Sequence, residues 1–145
     1  MTRWLIAAGV FAGLVMGIGS YTFIYARGSS YMTNDPAACA NCHVMTDYYV
    51  KWQRSSHRSV AVCNDCHTPK GVIPKYITKA SNGFWHSLYF TTGNFPDNIQ
   101  ITSGNRTVAA DACLKCHESL TRSMSPGHTT PGSCIKCHGK IGHPQ

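Results

Sequence analysis

Two regimes of hydrophobic patterning divide the sequence. From Trp4 to Ala26, 23 consecutive positions carry no charged side chain and are dominated by Leu, Ile, Val, Phe, Ala and Gly. As a helix this run measures about 34 Å, enough to cross the hydrocarbon core of a bilayer. A secretory signal offers an apolar region of only about 7 to 15 residues followed by a small-residue cleavage site, which fits less well. A buried core helix is the other reading of such a run. We read residues 1–27 as an uncleaved N-terminal transmembrane anchor. Within it Gly9, Gly13 and Gly17 recur every fourth position and so share one helix face, the pattern through which membrane helices approach each other closely. This face is a candidate for self-association.

Beyond residue 27 long apolar periodicity disappears. Residues 28–145 form a second domain, too short to bury a large side-chain core. The predicted class is mainly α with much irregular loop and almost no sheet. The helical candidates are Thr46 to Ser56 and Pro74 to Tyr89. Seven prolines punctuate the chain and predict short helices elsewhere.

The chemistry of this domain lies in its cysteines. All eight fall in four copies of C-x-x-C-H: Cys39/Cys42, Cys63/Cys66, Cys113/Cys116 and Cys134/Cys137, followed by His43, His67, His117 and His138. Chance would give roughly 0.02 such motifs in a chain of this composition, so the pattern is the covalent attachment signature of c-type haem. Zinc sites use C-x-x-C pairs but do not require a histidine after each one. Disulfides suit an oxidising compartment but leave the four histidines unexplained. We therefore expect four covalently attached haems, which would make up much of the domain's core. Haem of this type is attached outside the bacterial cytoplasmic membrane, which predicts a single-pass protein of that membrane, with a cytoplasmic N-terminus and a periplasmic haem domain. Arg3 before the span and Arg27 after it give little orientation signal of their own.

The net charge of +7 is spread, with no basic run. Haem propionates supply counter-charges for lysines near the motifs, such as Lys115, Lys136 and Lys140. No nucleic-acid-binding motif accompanies the charge, and we expect no nucleic-acid partner.

The motifs pair. Cys39 and Cys63 are 24 residues apart, Cys113 and Cys134 are 21 apart, and His57 and His128 each lie six residues before the second cysteine pair of their half. This looks like a duplicated di-haem unit, about 28–75 and 106–145, with a cysteine-free insert between. Low-spin haems need a second axial ligand. The histidines outside the motifs are His57, His86, His128 and His143. A histidine close to its own motif does not reach the opposite face of that haem, so we assign His143 to the second haem and His57 to the third, with an exchange between the third and fourth open. His128 is a weaker candidate for the third or fourth, and His86 weaker still. The first motif continues to Met45, and thioether sulfur also ligates iron. Spacing alone leaves His43 and Met45 both open.

An anchor helix followed by four motifs, with the pieces WQRSSH, CNDCHTP, NRTVAADACLKCH and CIKCHGKIGH, resembles the membrane-anchored tetrahaem quinol dehydrogenases of the NapC/NirT/NrfH family over nearly the whole chain. The short length and the C-x-x-C-H-x-M first motif look most like the branch formed by the small subunit of cytochrome c nitrite reductase. The resemblance implies that Met45, not His43, ligates the first iron. It also implies a quinol site with a lysine and an acidic residue seven apart beside that haem. Lys75 and Asn82 have the spacing, but the second position here is an amide. Lys79, His86 and Asp47 are possible substitutes for the missing carboxylate.

The function implied is a menaquinol-oxidising electron-transfer subunit that draws on the membrane quinol pool and passes electrons through four haems to a periplasmic multihaem nitrite reductase that forms ammonia. As such the chain is a quinol dehydrogenase subunit rather than the nitrite-reducing enzyme. Two alternatives are a general quinol dehydrogenase hub feeding several periplasmic reductases, and a terminal reductase of a small substrate.

Overall fold

The computed structural model describes residues 2–124 and 134–144. Among these residues there is no strand. The order is α1 (Thr2–Tyr25), three short 3₁₀ segments (Gly28–Met32, Pro36–Asn41 and His43–Met45), α2 (Thr46–Gln53), α3 (Cys63–His67), α4 (Val72–Thr92), α5 (Ser103–Ala112), α6 (Leu114–Thr121) and α7 (Cys134–Cys137). The chain divides into two compact units, Met1–Thr33 and Asn34–Gln145.

In the first unit, α1 has 24 residues, a mean hydropathy of 1.7 in its most apolar window, and no buried side chain. It is the one helix among the described residues long and apolar enough to cross a membrane. It closes on Arg27, which adopts the left-handed conformation (φ 51°) after Ala26 N–H has bonded to the Thr22 carbonyl at 2.8 Å. The Gly9, Gly13 and Gly17 face is open, with nothing near where a Cβ would sit.

In the second unit the prolines do not keep every helix short. α4 runs for 21 residues and contains Pro74. Pro74 stands in the first turn, where the missing N–H has no intrahelical partner to lose and the fixed φ suits the helix. Gly71 before it has φ 98°, and the Lys75 N–H bonds to the Gly71 carbonyl at 3.2 Å. At the other end Gly93 is left-handed (φ 67°). Its N–H bonds to Phe90 O at 3.3 Å and the Asn94 N–H to Tyr89 O at 3.0 Å, the paired bonds of a Schellman motif. α2 ends at Gln53, three residues before the predicted Ser56.

The side-chain core is slight. Among the described residues only Ala110, Ala112, Thr68 and Lys79 are buried, and no large side chain is fully enclosed. The helical packing that exists is chiefly α3 against α5, which sets the second attachment motif beside the helix leading into the third. A domain of this size needs far more buried apolar surface than a few alanines provide. The macrocycles of attached cofactors fit that deficit.

Candidate haem-binding sites

Three of the four motifs are helical. The second constitutes α3, the third enters α6 from Cys113, and the fourth begins with α7. The first is built differently. Asp35 caps Pro36–Asn41 by accepting from the Ala37 N–H at 2.9 Å, Cys42 is extended, and His43–Met45 forms its own 3₁₀ turn closed by Met45 N–H to Cys42 O at 2.9 Å. In that turn Met45 is half-buried, while His43 is exposed.

The histidines divide the same way. The His67 ring faces that of His143 with centroids 6.1 Å apart, and His117 faces His57 at 6.3 Å. Two imidazoles on opposite sides of one metal ion, each with a metal–nitrogen bond of about 2 Å, place their centroids about 6 Å apart. Both pairs have the centroid separation that such a bis-imidazole site requires. Among the described residues His43 faces no imidazole; its ring stands edge-on to Phe90 of α4 at 6.2 Å. His138 faces no second imidazole among the described residues. His128 lies outside the described residues.

An outer partner holds each distal ring, and at His143 it also fixes which nitrogen is available. His143 Nδ1 lies 3.0 Å from the Tyr48 carbonyl. A carbonyl only accepts, so Nδ1 carries the proton and Nε2 presents its lone pair. Tyr48 is itself placed by its ring against His143 (5.5 Å, edge-on) and by its hydroxyl donating to Ile99 O at 3.3 Å. His57 Nδ1 lies 3.2 Å from the Ser56 hydroxyl, which can donate or accept and so holds the ring without fixing its tautomer. Such outer contacts orient metal-binding histidines. Burial pushes the His67 imidazole below its usual range, with His143 and then His86 adding to the effect, so its neutral, metal-binding form is favoured.

The cysteines place the motifs in sequence. The thiols of successive motifs perturb one another's ionisation: Cys63 acts on Cys39, Cys116 on Cys66 and Cys134 on Cys113. Each motif thus adjoins the next. The Cys39 thiol is lowered to about 7, first by the bond from Cys63 and then by the Lys79 ammonium, against the opposing pull of burial. Cys63 is raised, chiefly as the partner in that bond. Burial raises Cys66 and Cys113. Haem attachment consumes these thiols, so the shifts belong to the chain before attachment.

One bridge between motifs was invisible in the pattern. Lys115, inside the third motif, donates through Nζ to the Asp65 carbonyl at 2.7 Å and to the Thr68 carbonyl at the end of the second. The ammonium thus caps the C-terminal end of α3, where carbonyls lack helical partners.

α4 carries Lys75, Lys79, Asn82 and His86 on one face, since their spacings of four, three and four keep them aligned. Lys79 is buried, with its Nζ 5.7 Å from the Tyr76 ring centroid, and burial followed by repulsion from Lys75 lowers its pKa. Burial also lowers His86. Asn82 makes a reciprocal amide pair with Asn105 of α5: its Nδ2 donates at 3.3 Å and its Oδ1 accepts at 3.0 Å. Asn82 therefore locks α4 to α5. Lys75 is half-exposed, and Asp47 pairs with Lys51 at 2.6 Å one turn along α2.

Comparison with known proteins supplies the family. Residues 1–145 match the model of the NapC/NirT cytochrome c family, N-terminal region. The chain is 34% identical over 146 residues to the cytochrome c-type protein NrfH of Wolinella succinogenes, covering 92% of this chain and 82% of that one. It is 28% identical to the cytochrome c nitrite reductase subunit NrfH of Nitratidesulfovibrio vulgaris, with the same coverage. Its fold is similar to that of a chain in the crystal structure of the cytochrome c nitrite reductase NrfHA complex bound to the HQNO inhibitor (TM-score 0.69, 24% identity, 91% of this chain and 88% of that one).

Proposed function

The chain belongs to the NapC/NirT cytochrome c family, and from that premise we propose that it is the quinol-oxidising, membrane-anchored electron-transfer subunit of a cytochrome c nitrite reductase. The observation that carries this reading is the 34% identity to an NrfH protein across nearly the whole chain. Covalently bound haem is a property of the family. We infer four haems, one at each motif, with menaquinol as the donor. Haem held there supplies one-electron chemistry at iron and a path for electrons between closely spaced macrocycles.

The chain's own residues do the rest. Eight cysteine sulfurs fix the macrocycle edges. His67 with His143, and His117 with His57, provide opposed nitrogens, and Tyr48 and Ser56 hold the distal rings in place. Met45 serves as the axial ligand of the first site, where its thioether favours the reduced iron more than an imidazole does. His43 then packs against Phe90. His138 is the proximal ligand of the fourth site, and His128 is a candidate distal one. Lys115 clamps the second motif to the third. Lys75, half-exposed beside Lys79, is the residue proposed to donate a hydrogen bond to a quinol oxygen; Asn82 acts as the brace that orients this helix face and takes no proton. Residues 1–27 act as the anchor and 28–145 as the haem domain, whose two di-haem halves, about 28–75 and 106–145, face the periplasm. The catalytic nitrite reductase subunit is the electron acceptor.

Nitrite-driven reoxidation tests the reading. The full-length protein is reduced in membranes and then mixed with nitrite, with and without the catalytic multihaem subunit. Reoxidation only when that subunit is present is the expected result. Equal reoxidation by nitrite alone would make this chain a reductase. Failure to reoxidise with the subunit present would contradict the proposed partnership.

A further inference from the structure

The face of α4 opposite Lys75, Lys79, Asn82 and His86 is apolar and open. Ile73, Ile77, Phe84 and Leu88 recur at helical spacing along it, and the first three are 74%, 64% and 60% exposed. Tyr76 and Trp85 flank the stripe. The opposite face is taken up within the domain by the buried Lys79 and the Asn82–Asn105 pair, so the helix cannot rotate to hide the stripe. Exposed apolar surface that continuous marks a contact with something else.

We propose that α4 lies on the membrane surface, with this stripe seated among the headgroups and upper acyl chains of the bilayer that anchors the protein. Three observations select lipid as the occupant. The chain is membrane-anchored through α1, so a bilayer is tethered to the same chain as α4. Between Val72 and Thr92 there is no acidic residue, so nothing on α4 repels an anionic surface. The flanking Tyr76 and Trp85 are the residue types that settle at the boundary between lipid and water. An amphipathic helix of this make-up binds in the interfacial plane, not across the membrane. The inference goes beyond electron transfer and needs only the anchor and α4, so it stands or falls separately from the proposed activity.

Photo-crosslinking tests it on the full-length haem-loaded protein. The protein is placed in nanodiscs of phosphatidylethanolamine and phosphatidylglycerol carrying a trace of phosphatidylglycerol with a diazirine in its acyl chain. After irradiation, adducts are mapped by mass spectrometry. Adducts are expected in α1 and in α4 at Ile73, Ile77, Phe84 and Leu88, but not in α5 or α6. Adducts confined to α1 would overturn the proposal, as would equal labelling of α4, α5 and α6. In the Ile77→Asp/Phe84→Asp variant, labelling of α4 should fall by several-fold while α1 labelling and the haem absorption spectrum stay unchanged. Undiminished α4 labelling would overturn the proposal. So would an α4 that takes no lipid adduct and is shielded from deuterium exchange only when the catalytic subunit binds, because the stripe would then meet protein.

Discussion

The His143 ring stands 6.1 Å from that of His67 and is held from behind by the Tyr48 carbonyl, 3.0 Å from its Nδ1. A residue near the C-terminal end is thereby fixed over the second motif by a backbone atom next to the first. His143→Ala should leave the second haem attached but remove its sixth ligand. The expected result is unchanged mass with a new high-spin signature in the absorption and paramagnetic resonance spectra. A spectrum identical to that of the unaltered protein would show that His143 is not a ligand.

His57 and His117 stand in the same relation at 6.3 Å, with Ser56 on the outer nitrogen. His57→Ala should create a high-spin third haem. Ser56→Ala removes only the outer hydrogen bond, so it should keep the haem low-spin and shift its potential modestly. If both variants retain a fully low-spin spectrum, the third haem takes its ligand elsewhere.

At the first motif Met45 is the proposed axial group, as the resemblance to the family implies, and His43 stands edge-on to Phe90. Met45→Leu should alter the first haem's spectrum and lower its potential, because thioether ligation is lost. A variant of His43 that still permits attachment should change little at that iron. A larger shift from the His43 change, measured by potentiometric titration, would reverse the assignment.

Much of this arrangement could be read from residue order because short loops forbid some contacts. A histidine a few residues from its own motif cannot cross to the far face of that haem, and the structure does set His57 and His143 opposite histidines of the other half. The anchor was legible for a simpler reason: 23 uncharged residues have few other uses. The contacts that hold the site were not legible. The Tyr48 and Thr68 carbonyls belong to every residue's backbone and carry no sequence signal. Asn82 invited a reading at the quinol site by its spacing from Lys75, yet its amide is committed to Asn105, 23 residues away. Pro74 seemed to mark a helix start, but a first-turn proline is tolerated, and α4 begins two residues earlier at Val72.

Lys115 bonds to the Asp65 and Thr68 carbonyls and so joins the second and third motifs. Hydrogen bonds from a charged donor are worth about 1.5 to 3 kcal/mol each. Lys115→Met, which keeps the aliphatic stem, should cost about 2 kcal/mol after partial rehydration of the freed carbonyls. Thermal unfolding should shift down by several degrees, and the electronic coupling between the second and third haems should weaken in the paramagnetic spectrum. An unaltered midpoint and coupling would mean that the bridge contributes nothing in solution.

The central claim is that this chain takes electrons from quinol in the membrane. The direct measurement is the absorbance of its haems in proteoliposomes holding the full-length protein and no other redox partner, followed after addition of menaquinol. Appearance of the reduced haem band, lost in a Lys75→Leu variant that keeps its full haem content, is the result this account predicts. Haems that stay oxidised with menaquinol yet reduce with dithionite would contradict it.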